Sequence, residues 1–237
     1  VALALASEGA KVVVNDIGRD PDGTRGADKV VEEITKANGA AVANYDSVAT
    51  MSGGKSVIKT AISNFGRIDI LVNCAGNFWP ARSTEMTEDE WDSIIDVHLK
   101  GHFSCTKAAA LEMIQQKSGR IINFSSRAAF FHISNLAYAS AKAGIMGFSA
   151  MLSKELKEYG ITVNTILPSA ITGLFPGEKF PMGDNVPVIP KPDPDFVAPI
   201  VVYLTTDTLL AIFTRIRIQP KRSPLRFDGN IPLLSHT

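Results

Sequence analysis

The chain has 237 residues, 45% of them hydrophobic, and its 24 Lys and Arg balance 24 Asp and Glu. That balance excludes a net field that would recruit nucleic acid or an anionic membrane, and no run approaches the ~20 apolar residues of a bilayer span. Two cysteines, Cys74 and Cys105, do not make a disulfide framework and suit a reducing cytoplasm.

One domain over residues 1–237 is expected, since single α/β domains reach this length. The opening VALALASEG reads as the back half of a helix stopped at Gly9. Its small residues imitate the end of a signal peptide, but no basic segment precedes them and the chain continues without a break. Strands are then predicted at 11–16, 40–46, 68–73, 120–126 and 161–168, and helices near 24–38, 52–64, 87–116 and 137–159. The strands are continuous apolar runs, as expected when helices cover both faces of a parallel sheet. Gly39, Gly66, Gly119 and Gly160 sit just past helical patterns as stops. Thr87-Glu88-Asp89-Glu90 fits a capping box at a helix start. Repeated strand–helix–strand units imply a Rossmann-type, doubly wound parallel sheet in a three-layer α/β/α sandwich. Residues 168–199 hold eight of the thirteen prolines, a composition that suits a substrate loop. The tail over 207–237 contains AIFTRIRI at 211–218, whose alternation suits an edge strand.

The sharpest chemical signal is Tyr138-Ala-Ser-Ala-Lys142. Residues at i and i+4 share a helix face, and an ammonium near a phenol lowers the phenol pKa toward neutrality. Upstream, Ser125-Ser126 ends a predicted strand, at the sheet edge where such folds bind ligands. Asn73-Cys74-Ala75-Gly76, GRIINFSS, YASAKAG and VNTILPSAIT follow in order. Together these motifs resemble the short-chain dehydrogenase/reductases. NDIGRD, ADKVVEEI, AVANYDSV, FGRIDILVN and DVHLKGHF sharpen the likeness to the branch containing (3R)-hydroxyacyl-CoA dehydrogenases, over roughly residues 1–206.

The resemblance implies an NAD-dependent exchange between a secondary alcohol and a ketone, with a 3-hydroxyacyl thioester as the small-molecule substrate. Tyr138 would be the general acid/base, with Lys142 tuning it and holding the nicotinamide ribose. Ser126 would bind the substrate oxygen, although counting back from Tyr138 selects Ser125, because the interval is one residue shorter than the family's. His98 stands where most of the superfamily has Asn in a proton relay. Asp16 would accept the adenosine ribose hydroxyls and repel a 2′-phosphate, favouring NAD, while nearby Arg19 keeps NADP open. Asp46 and Ser47 would border the adenine, Asn73, Ala75 and Gly76 would form the next wall, and Pro168, Ile171 and Thr172 would flank the nicotinamide.

The chain also departs from the family ahead of its first helix. A first strand and a T-G-x-x-x-G-x-G turn are expected ahead of VALALASEGA, and neither is in the sequence. In the family that strand is central and paired on both sides, and its turn holds the pyrophosphate. Two functional readings therefore stand: an active oxidoreductase, and a non-catalytic subunit that stabilises an active partner. The family further implies a homo- or hetero-oligomer. No metal-ligand spacing is present.

Overall fold

The computed structural model describes residues 1–130, 134–168 and 193–206, together with the backbone of 215–216. Helix α1 (Ala2–Ser7) opens the chain and is followed by strand β1 (Val12–Asn15) and helix α2 (Gly26–Lys36). Strand β2 (Ala41–Asn44), helix α3 (Met51–Phe65) and strand β3 (Ile70–Asn73) come next. Helix α4 (Glu88–Ile95) runs through a π-helical turn at Asp96–Lys100 into α5 (Gly101–Gln116). Strand β4 (Gly119–Phe124), helix α6 (Leu136–Leu156), strand β5 (Ile161–Ile166), helix α7 (Ala198–Leu204) and the short strand β6 (Arg215–Ile216) complete the order.

All ladders among the described residues are parallel. Sequential strands so joined need crossover helices, which is what the alternation of elements provides. Side chains alternate across each strand, and the core follows that alternation. Ile121 of β4 joins a cluster with Ile58 and Ala61 of α3, Ala109 and Met113 of α5, and Val163 of β5. Its neighbour Ile122 faces the other way, into a cluster with Ile166, Val201 and Leu204. The central sheet is thus covered on both faces, which confirms the three-layer α/β/α reading.

The sheet is split. Strands β1 and β2 form one pair, and β3-β4-β5-β6 form a separate four-stranded sheet. No ladder joins β1 to β3 among the described residues. The split falls at the place where the family expectation puts its central first strand. What links the two sheets is side-chain packing: Val13 of β1 lies against the cluster that contains Leu71 of β3.

Close helix contact is specified by small residues. The capping box predicted at Thr87 is formed, with Glu90 Oε2 accepting from the Thr87 N–H at 2.9 Å. At Gly54 in α3, a Cβ would come within 2.6 Å of the Ser104 backbone carbon in α5, so only glycine permits that crossing. At Gly147 in α6, a Cβ would meet nothing within 4 Å. Gly54→Ala should therefore destabilise by about 1–3 kcal/mol, the usual cost of overpacking. Gly147→Ala should stabilise by up to about 1 kcal/mol, the helix-propensity gain of Ala over Gly. Urea midpoints of the two variants against wild type measure both.

Candidate active site

The strand ends of the four-stranded sheet bring the predicted catalytic residues together. Helix α6 starts beside the end of β4 and is held there by two reciprocal bonds. Lys142 Nζ donates to the Phe124 carbonyl at 2.8 Å, and Ser125 Oγ donates to the Lys142 carbonyl at 2.7 Å. Ser125, only 2% exposed, is thereby used in the structure itself. Ser126 lies one residue further, capping a short 3-10 turn over Arg127–Ala129, with its hydroxyl near enough to the Tyr138 phenol to lower its pKa.

Tyr138 and Lys142 are each 4% exposed. Burial raises the Tyr138 pKa, and the Ser126 hydrogen bond opposes that rise. This corrects the expectation that the ammonium lowers the phenol pKa. Helical spacing places the two residues on one face, but Lys142 Nζ reaches for the Phe124 carbonyl and sits 5.4 Å from the Tyr138 ring centroid. Burial depresses the lysine in its turn, to about 7. An amine easily made neutral is a weak source of positive potential.

His98 lies within the π-helical turn that interrupts the predicted long helix. Such turns favour functional sites because they rotate one side chain out of the regular register. Its ring is fully buried, packed edge-to-face on Tyr138 with centroids 5.1 Å apart. Nε2 lies 2.8 Å from the Asn77 carbonyl and 3.2 Å from the Asn77 N–H, so the tautomer decides which bond forms. Gly76 leaves room for that ring, since a Cβ there would approach His98 Cε1 to 2.5 Å. One helical turn on, His102 is also buried. Burial first, and Lys142 second, lower both histidines from 6.5 to about 3.

The predicted cofactor residues divide between the two sheets. Asn73 is 7% exposed, and its Nδ2 donates to Asn123 Oδ1 at 2.9 Å and to Thr106 Oγ1 at 3.1 Å. Its side chain therefore ties β3 to β4 and α5, while Ala75 and Gly76 beyond it are exposed. Pro168 follows β5 and is half-buried, whereas Ile171 and Thr172 lie outside the described residues. On the smaller sheet, Asp16 directly follows β1, and its Oδ1 accepts from the Gly18 N–H at 2.7 Å. The Arg19 guanidinium donates to the Gly23 carbonyl at 3.1 Å. Asp46 Oδ2 accepts from Ser56 Oγ at 2.7 Å and from Asn44 Nδ2 at 3.0 Å, and Ser47 Oγ accepts from the Ala49 N–H at 3.3 Å.

Two asparagines missed in the sequence complete the site. Asn77 holds His98 through its backbone, and Asn135 accepts the Tyr138 N–H as the cap of α6. An Asn three residues ahead of Tyr138, before an apolar helical run, was the available signal for the cap.

The short chain dehydrogenase family model matches residues 1–177. The chain belongs to that family, a family of oxidoreductases. It is 43% identical over 215 residues to the peroxisomal hydratase-dehydrogenase-epimerase of Saccharomyces cerevisiae, covering 87% of this chain but 23% of the yeast protein. It also spans 47% of a second such relative, the peroxisomal multifunctional enzyme A of Dictyostelium discoideum. A 3-oxoacyl-[acyl-carrier-protein] reductase of Synechocystis is 39% identical, over 90% of this chain and 86% of that protein. Among solved structures, a metagenomic short-chain oxidoreductase in complex with NADP superposes with a TM-score of 0.76 at 27% identity, over 94% of this chain and 90% of that one. A nicotinamide cofactor fits the residues present: a buried amine at Lys142 and strand ends converging at one edge.

The buried histidines carry a measurable cost in acid. Their folded pKa of about 3 lies below the ordinary 6.5. Between those values the unfolded chain binds more protons, so stability falls as pH drops from about 6.5 toward 3. His102→Gln should remove about one proton from that slope. Chemical denaturation at a series of pH values reads it directly.

Proposed function

We propose that the protein is an NAD-dependent oxidoreductase that interconverts a 3-hydroxyacyl thioester and its 3-oxoacyl counterpart. The observation that carries this reading is the convergence of Ser126, Tyr138, Lys142 and His98 at one buried point at the sheet edge. In the oxidative direction Tyr138 takes the alcohol proton as the carbonyl forms, and in the reductive direction it gives that proton back. Ser126 holds the substrate oxygen beside the phenol. Lys142 uses one of its three ammonium protons on the Phe124 carbonyl, which leaves two for ribose hydroxyls. His98 lines the proton path behind Tyr138. The nicotinamide, when bound, supplies the hydride acceptor or donor.

NAD is favoured over NADP because Asp16, directly after β1, offers a carboxylate to a ribose diol and repels a 2′-phosphate. Arg19, engaged with the Gly23 carbonyl, is turned to its own loop. Asp46, Ser47, Ala75, Gly76 and Pro168 border the remaining cofactor, with Asn73 supporting that wall from within the sheet. The acyl thioester reading rests on the name of the Synechocystis relative and on the sequence resemblance. Exposed Phe103 and Leu111 on α5 and Met151 on α6 support assembly into an oligomer. No described helix is long and apolar enough to cross a membrane. The cytoplasmic reading rests on two free cysteines. The yeast relative's name carries a peroxisomal location, so cell fractionation distinguishes the two.

The test follows reduced nicotinamide by absorbance, with both hands of a 3-hydroxyacyl-CoA and either NAD or NADP. Turnover with NAD and one hand is expected. Tyr138→Phe should lower kcat by about 10²–10⁴-fold, the usual worth of a positioned acid/base, and leave cofactor affinity within about twofold. Failure of every pair, by a folded protein that binds neither cofactor, would favour the non-catalytic reading.

A further inference from the structure

Three consecutive residues after β3 each hold a different part of the site. Asn77 meets His98 Nε2 with both its backbone groups, and its side chain donates to Ser93 Oγ at 2.7 Å and to the Ser93 carbonyl at 3.2 Å. Phe78 packs edge-to-face on the Tyr138 ring, with centroids 5.8 Å apart and planes at 81°. The Trp79 carbonyl accepts from Asn135 Nδ2 at 2.5 Å, across a sequence separation of 56 residues. Asn135 is bifunctional, because its Oδ1 accepts the Tyr138 N–H at 2.9 Å. One carboxamide therefore joins the first turn of the helix that carries Tyr138 to the segment that holds His98.

We propose that Asn135 is a positioning residue for Tyr138, and that it acts by strapping the start of α6 to the Asn77–Trp79 segment. This rests on the reading of Tyr138 as the proton donor and acceptor. A helix N-cap satisfies an orphan N–H wherever it occurs. Here the same side chain spends its donor on a distant backbone, so the cap fixes where the helix begins as well as whether it forms. The first turn of α6 sets the height of the Tyr138 ring between Phe78 and His98. The ring's facing partners are His98 from the π-helical turn, Lys142 from α6, and the Ser126 hydroxyl from the end of β4. Small displacements of a reacting group cost large factors in rate, and a cap tied only to its own helix does not resist them.

Two variants separate the strap from the cap. Asn135→Ser keeps a cap acceptor but is too short to reach Trp79. Asn135→Asp keeps the shape and the acceptor, and turns the donor into a second acceptor facing the Trp79 carbonyl. Both should fold, as judged by circular dichroism and a cooperative melt. Each is expected to lower kcat about tenfold to a hundredfold while the KM for cofactor stays within about twofold. In Asn135→Ser the pH–kcat midpoint assigned to Tyr138 should move upward, because the hydroxyl loses registration with Ser126. An unchanged kcat and an unchanged midpoint in a folded variant would overturn the proposal. Amide hydrogen exchange supplies a readout that needs no turnover. Faster exchange is expected together at residues 77–79 and 136–139, and exchange confined to 136–139 would reduce Asn135 to an ordinary cap. If wild type shows no turnover, the functional reading fails while the exchange result still decides the strap.

Discussion

The site depends on a clamp between one helix and one strand. Lys142 gives its ammonium to the carbonyl of Phe124, and Ser125 gives its hydroxyl to the carbonyl of Lys142. Ser125 and Lys142 are both buried, and breaking either bond strands a polar group at a cost of ~1–3 kcal/mol. That pair anchors α6 to β4 at the Lys142 turn, while Asn135 holds the start of the helix separately. Tyr138, one turn toward the N-terminus from Lys142, is then fixed against Ser126, one residue past Ser125. The two serines are neighbours with separate duties: the first locks the helix and the second faces the tyrosine.

Around this clamp the interior is unusually polar for its depth. Asn73 bonds to Asn123 and Thr106, and Asn123 bonds on to Ser149 in α6. These carboxamides cross from β3 through β4 to the helix layer. They supply directional contacts where aliphatic packing alone would permit small shifts. His98 and His102 add two neutral rings within the same wall, kept neutral by burial and by the nearby lysine. The electrostatic character of the site is therefore set by desolvation more than by pairing.

Much of the fold was legible in the chain because parallel strands buried on both faces leave uninterrupted apolar runs. KVVVND, IDILVN and ITVNTILP each contain the observed strand within the predicted bounds. The π-helical turn was not legible: Asp96–Lys100 contains neither Gly nor Pro, and an inserted residue in a helix leaves the surrounding periodicity nearly intact. The direction of the Lys142 ammonium was likewise hidden, since i,i+4 spacing gives a shared face without saying where a flexible stem ends. Ser126 was anchored by strand position, whereas its neighbour's role depended on a carbonyl 17 residues away. Asn77 and Asn135 escaped because their partners lie across the fold, and only the cap half of Asn135 has a local signature. Ile171 and Thr172 lie outside the described residues.

The division of the sheet has a consequence for ligand geometry. Asp16 and Asp46 ride on the two-stranded sheet, while Tyr138, Lys142 and His98 belong to the four-stranded one. A dinucleotide lying along this edge would have its adenosine end read by one hydrogen-bonded unit and its reactive ring placed by another. Side-chain packing contributes to the placement of those ends, since Val13 of β1 lies against the cluster that includes Leu71 and Ile58. Aliphatic packing between the sheets is therefore one determinant of how far Asp16 lies from Tyr138.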